Sequence, residues 1–211
     1  MKNAVPEEEL SWQKALADVA ARIRAVPGTE RAAKIAVVLN SRLTCEELAL
    51  AKRVFAESLG LGKIFFADPK PGAADGFLLT EERVPNARGV LQAGFSPRLP
   101  DLAVLAAAEV LLVFGSHLLE QFSEEAISRV LAGIPSKFLF SAHAGPLDRL
   151  ADFVFPVALP AEKSGTYINV NGLRQTFGRA VEPPPGVVPE LEILACLATG
   201  LGLNTGELDA G

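Results

Sequence analysis

At 211 residues, with 49% hydrophobic and 21% charged side chains, the chain has an ordinary globular composition and ample material for a buried core. A net charge of −5, with twenty basic residues spread along the sequence, excludes the basic stripe that nucleic acid or an acidic membrane surface would require. The two cysteines, Cys45 and Cys196, are far apart in apolar-periodic segments, which excludes a cysteine cluster for zinc or iron–sulfur and reads as a pair of buried free thiols.

The opening residues, Met1 to Trp12, are too polar and acidic for a signal peptide, and no apolar run reaches the roughly eighteen residues of a membrane span. The expectation is a soluble, cytoplasmic chain. Leu10, Ala15, Leu16, Val19, Ala20 and Ile23 recur at helical spacing after Ser11, a candidate N-cap, and Pro27-Gly28 stops the pattern. Ile35 to Leu39 is a continuous apolar run too short for a helix and suits a parallel strand buried on both faces. Thr44 followed by Glu47 forms a capping box ahead of a helix that Gly60 ends, and Ile64 to Ala67 returns as a strand, completing one right-handed crossover unit.

Asp68 to Pro100 is rich in Pro and Gly and reads as a long ordered excursion. The alternation then resumes, with a helix over Leu99 to Ala108, a strand over Val110 to Phe114, a helix from Ser123 to Ala132 closed by Gly133, and a strand over Lys137 to Ser141. A helical turn at Pro146 to Leu150, a strand at Phe153 to Val157 and a last helix from Pro189 to Leu201 follow. Strands alternating with helices predict an α/β fold, a mostly parallel, Rossmann-like sheet with helices on both faces. The whole chain reads as a single α/β domain, with strand–helix units over 11–160 and a polar loop plus the C-terminal helix over 161–211. That loop runs about thirty residues without obvious helix, an improbable length inside a compact domain unless it binds something or acts as a clamp.

In such sheets ligands sit beyond the carboxyl ends of the strands. Those ends are Asn40-Ser41, Gly115-Ser116-His117, Ser141-Ala142-His143 and the loop around Glu162, all polar and small. Gly115 lets a ligand approach the backbone, and free amides at the helix start after it suit a phosphate. Equally, small residues at a strand end make tight turns, and neither a GxGxxG nor a Walker pattern is present. His117 and His143 suit acid–base or ligand roles, or simply turn positions. Glu162 reads either as a base or as a carboxylate that holds its turn through loop amides. Asn169, Asn171 and Gln175 can satisfy backbone groups of an irregular loop with or without a ligand.

Several segments together carry a resemblance. AEKSGTYINVNGLRQ (161–175) resembles the E-x-x-G-T-x-x-N-x-E-G-R-x-Q segment of molybdopterin-dependent oxidoreductases, and ADFVFPVALP (151–160) their A-D-V-V-L-P strand. AVEPPPGVVPELEILACLA (180–198) is similar to the family's A-x-x-P-x-G-x-A-x-x-D-W-x-I-L run. LSWQKALADVAARI (10–23) and NSRLTCEELALAKRVF (40–55) resemble its W-D-E-A-L helix and S-x-x-x-T-N-E-E segment. ADGFLLTEERVPNARGV (74–90) is close to the D-F-L-I…P-N-R-R-G segment typical of the G subunit of NADH-quinone oxidoreductase, respiratory complex I. The departures are an absent iron–sulfur domain, no molybdenum ligand, Asn171 in place of Glu and Leu173 in place of Arg.

The resemblance implies a partial molybdopterin-oxidoreductase-like fold, equivalent to the C-terminal part of that G subunit, acting as a non-catalytic structural or assembly module of an electron-transfer complex. Its partners would be iron–sulfur and other subunits of the complex, with no nucleic acid and no direct membrane span. Its location would be cytoplasmic, peripheral to the inner membrane through the complex. No cofactor is then expected in this chain. The alternative is a subunit that completes a molybdopterin guanine dinucleotide pocket in a split molybdenum enzyme. There Gly115, Ser116, His117, Gly165, Thr166 and Asn169 would hold the dinucleotide's phosphates and pterin, and the metal ligand would come from a partner. A small-molecule enzyme using Glu162 and His143 is a third reading.

Overall fold

The structure is a computed structural model that describes residues 12–77 and 79–203. Its element order is α1 (Trp12–Ala25), α2 (Arg31–Lys34), β1 (Ile35–Leu39), α3 (Cys45–Ala51), β2 (Ile64–Phe66), α4 (Ala87–Gln92), α5 (Leu102–Ala106), β3 (Val110–Phe114), α6 (Leu118–Gln121), α7 (Glu124–Ala132), β4 (Ser136–Ser141), β5 (Phe153–Pro156), β6 (Gly165–Ile168), β7 (Arg174–Phe177) and α8 (Glu190–Gly200). The fold is α/β and Rossmann-like. Five parallel strands lie in the order β2-β1-β3-β4-β5, and β6 and β7 form a separate antiparallel hairpin. The order reverses between β1 and β3, the place where an open α/β sheet offers its crevice.

Sequence alternation distributes the core over two faces of the sheet. Ile35, Val37, Leu39, Val110, Leu112, Phe114, Phe138, Phe140 and Phe155 pack on one side with α1, α3 and α8. Ala36, Val38, Phe65, Leu111, Val113 and Leu139 pack on the other with Leu105 of α5 and Ile127 and Leu131 of α7. Both faces being covered, β1 and β3 are buried at every position, as continuous apolar runs require. In register across three strands, Phe114, Phe140 and Phe155 stack with ring centroids 4.4 and 4.8 Å apart. Such pairs add about 0.5–1.5 kcal/mol each beyond their burial.

The strands at Ile35–Leu39 and Val110–Phe114 and the helix capped by Ser123 fall where the sequence places them. The N-cap expected at Ser11 lies outside the described residues. Three features differ from expectation. The helix begun at Cys45 continues over Lys52–Ser58 as wide π-type turns, with Leu59 N–H bonding back to Val54 O at 3.1 Å. The excursion after β2 contains α4. The loop after β5 is not irregular throughout, because 165–177 pairs as the β6–β7 hairpin. The expectation of two buried thiols is also corrected: Cys45 is half-buried and Cys196 exposed, since α8 turns Ile193, Leu194, Leu197 and Ala198 inward and position 196 outward.

At the β5 edge, Pro156 faces Ser141 but has no N–H to give, and Val157 N–H bonds to Ser141 O at 3.2 Å. Pro156 O then accepts from Val188 N–H, and Ala158 N–H donates to Val188 O, both at 3.2 Å. These bonds seat the return strand segment that leads into α8.

Candidate functional site

Beyond the carboxyl ends of β1, β2 and β3 the polar groups are engaged with one another. Asn40 spans the switch point: its Nδ2 donates to Phe114 O at 2.8 Å while its Oδ1 accepts from Arg42 N–H at 2.8 Å. Ser41 is tied to the end of β2, its N–H and hydroxyl donating to the two Asp68 oxygens at 2.6 Å each. Gln121 Nε2 closes the same corner by donating to Asp68 O. Gly115 turns the chain after β3 with a φ of +86°, a conformation open to glycine, and a Cβ there would lie 2.8 Å from Asn40 Nδ2. Ser116 is half-buried at the start of the short turn that follows, and His117 bonds Glu120 through Nδ1 at 2.8 Å. At the end of β4, Ser141 Oγ donates to His143 O, and the His143 residue is exposed.

The second group, Gly165, Thr166 and Asn169, lies on the hairpin against the start of α3. Gly165 comes so close that a Cβ would sit 2.3 Å from Thr44 Cγ2. Thr166 N–H donates to Glu46 Oε2 at 3.0 Å, and its hydroxyl pairs with that of Thr176 at 3.2 Å. Burial raises the Glu46 carboxyl, but the bonds from Thr166 and the backbone outweigh it and hold the group below its ordinary value. Asn169 shapes the hairpin tip, its Oδ1 accepting from the N–H groups of Asn171 and Leu173 at 3.0 Å each. Gly172 closes that turn with a φ of +81°. Glu162 holds its own turn by accepting from Leu159 N–H at 2.8 Å.

Asn86, fully buried in the PNARG stretch, joins this group to the body. Its Nδ2 donates to Leu43 O and its Oδ1 accepts from Ile168 N–H, both at 2.8 Å. Asn86 N–H itself bonds Ser41 O at 3.1 Å, and a Cβ on Gly89 would meet Asn86 Oδ1 at 2.1 Å, so the glycine makes room for the amide.

Two residues before β6, Lys163 enters the interior. Its Nζ lies 2.8 and 2.9 Å from the two oxygens of Glu47 on α3 and 2.7 Å from Glu190 Oε2 at the head of α8. Glu47 is also the capping-box carboxylate, accepting from Thr44 N–H at 2.7 Å. Burial opposes the charge on Lys163, and the two carboxylates more than offset it, raising the ammonium well above its ordinary value. Tyr167 lies alongside and donates its hydroxyl to Arg42 O at 2.8 Å; burial pushes the phenol up to about 12.

The six residues that the pterin-pocket reading singles out therefore occupy two places. Gly115, Ser116 and His117 line the β3 end beside Asn40, whereas Gly165, Thr166 and Asn169 belong to a hairpin docked on α3. A pterin dinucleotide needs convergent, unengaged donors around an open cradle. Here the Gly115, Thr166 and Asn169 amides are spent on Phe140 O, Glu46 and Leu173 O, and Asn40 and Thr44 fill the space in front of Gly115 and Gly165, so these positions as arranged do not fit that group. Every fully buried side-chain nitrogen or oxygen among the described residues has a hydrogen-bond partner. Among the same residues, no three or more His, Cys, Asp or Glu side chains are grouped to hold a metal ion. Nor is any helix among them long and apolar enough to cross a membrane.

Sequence reasoning passed over Lys163, Glu190, Asn86 and Asp68. Lys163 and Glu47 are 116 positions apart, and no local spacing announces such a pair. Asn86 stands inside a recognisable stretch, but its role depends on three segments that only the fold brings together. Comparison of the chain with protein-family models and with curated proteins gives no match.

Proposed function

We propose that the chain is a non-catalytic, molybdopterin-oxidoreductase-like α/β module with a structural or assembly role in an NADH-quinone oxidoreductase-type electron-transfer complex. The observation that carries this reading is the inward use of the polar residues in the stretch that resembles the oxidoreductase family. Lys163, Thr166 and Asn86 tie that stretch to α3, α8 and the β1 end, while Asn169 is spent on the hairpin's own tip. On this reading the stretch serves to hold the fold together in place of a cofactor. Electrons would pass through iron–sulfur clusters on partner polypeptides, since this chain has no cysteine set for one.

The surface on which partners would be sought includes Phe77, 87% exposed, and Leu79, 52% exposed. Both sit in a loop ordered by Asp75, whose Oδ1 accepts from their N–H groups at 2.9 and 2.7 Å.

The test is purification of the protein with and without co-expressed iron–sulfur subunits, followed by metal analysis and fluorescence of oxidised pterin. The expected result is stable association with those subunits and neither pterin nor molybdenum in stoichiometric amount. Stoichiometric pterin on the chain would overturn the scaffold reading in favour of a subunit completing a molybdopterin pocket. Failure to associate with any iron–sulfur subunit would overturn the assignment to an electron-transfer complex.

A further inference from the structure

Two carboxylates meet one ammonium in the interior: the Lys163, Glu47 and Glu190 side chains are 3, 1 and 11% exposed. With all three ionised the cluster holds a surplus negative charge, which is costly inside a protein unless a proton neutralises it. The hydrogen bonds decide which carboxylate takes that proton. Glu47 accepts two bonds from Lys163 and a third from Thr44 N–H, whereas Glu190 accepts one from Lys163 besides its own backbone amide. Both carboxylates lie in the first turn of a helix, so the helix ends favour neither over the other. The poorer set of donors leaves the proton on Glu190.

The groups around Glu190 come from three elements: Glu47 from α3, Lys163 from the segment before β6, and Tyr167 from β6, with Arg42 beyond the phenol. Tyr167, pushed up to about 12, stays neutral over the range in question.

We propose that the Glu47–Lys163–Glu190 cluster is a proton-controlled clasp, which with one proton on its carboxylate pair holds the β6–β7 segment to α3 and α8, and which loosens that segment when the proton leaves. Lys163 stands at the root of the hairpin, and the Thr166 and Ile168 amides that dock it follow within five residues. Burial first, and the charge of Glu47 second, push the Glu190 carboxyl from its ordinary 4.5 up to about 7, against the pull of Lys163. A carboxyl raised in this way contributes fully to docking below its ordinary value and loses that contribution as pH rises through the raised one. The clasp concerns the fold of this segment, whatever the chain assembles with.

Hydrogen exchange of the Thr166 and Ile168 amides, corrected for intrinsic rates, tests the clasp in the full chain at about pH 5.5 and about pH 8.5. The expected result is a fall in protection of roughly tenfold to a hundredfold at the higher pH in the wild type, and no pH-dependent fall in Glu190→Gln. Equal protection at both pH values, or the same fall in Glu190→Gln, would overturn the proposal. Should Glu190→Gln not fold, wild-type protein carrying 13C-labelled glutamate decides. One carboxyl titrating near pH 7 supports the clasp, and all carboxyls titrating in the ordinary range overturn it.

Discussion

Replacing Lys163 by alanine leaves Glu47 and Glu190 facing each other without their shared cation. Removal of one partner from a buried ion cluster costs about 3–5 kcal/mol, far more than loss of a surface pair, because the remaining charge is stranded. Urea titration of K163A against the wild type is expected to show that loss, whereas R129A, which removes the exposed Arg129–Glu125 pair, should change stability by less than about 0.5 kcal/mol. Gly165 makes a second case at this scale. Its α-carbon faces Thr44 so closely that an added Cβ would lie 2.3 Å from Thr44 Cγ2, and G165A is expected to cost about 1–3 kcal/mol in the same titration. Trimming the methyl with T44S keeps the capping hydroxyl and should recover part of the loss, which a double-mutant cycle would register as coupling. The glycine was visible in the sequence, but its reason was not. A Gly-Thr pair in a polar loop reads as ligand contact as readily as close packing, and only the approach of a residue 121 positions earlier distinguishes them.

Elements were legible where their cause is local. The capping box of Thr44 and Glu47 and the N-cap of Ser123 act within one turn, and the structure has both. The β6–β7 hairpin was hidden because β7 is exposed along Arg174–Thr176 and shows no apolar alternation. Its readable mark is the Asn171-Gly172 pair, a turn signal, with Gly172 at a φ of +81°. Helix α4 was hidden for another reason: it is short, carries Gly89 in its middle, and buries only Gly89 and Val90, too little to make an apolar stripe. N86A would leave Leu43 O and Ile168 N–H buried without their partner, at about 1–3 kcal/mol for each orphaned group. The expected signature is a lower melting temperature together with faster amide exchange at Ile168.

At the scale of the whole molecule, the sheet follows from short apolar runs separated by helical spacing, and the sequence therefore disclosed its class and most of its strands. What spacing does not convey is lateral order. Phe114, Phe140 and Phe155 belong to three strands, and their stacking depends on a register set by the completed sheet. Phe140, wholly buried between its two neighbours, is the member whose loss should be felt most; F140A is expected to cost about 3–5 kcal/mol by chemical denaturation. The Lys163–Glu47, Asn86–Ile168 and Ser41–Asp68 contacts were illegible for the same reason as the ring stack, since each joins segments far apart in the chain. Two long-range contacts of the hairpin reach beyond stability. Glu46 and Asn86 occupy the flank of β6 where a further strand would bind, and they already take the two outward amides of Thr166 and Ile168. An invading strand, from a neighbouring molecule or a swapped segment, would have to evict both side chains before it could pair, so ribbon growth and fibre seeding are obstructed on that flank.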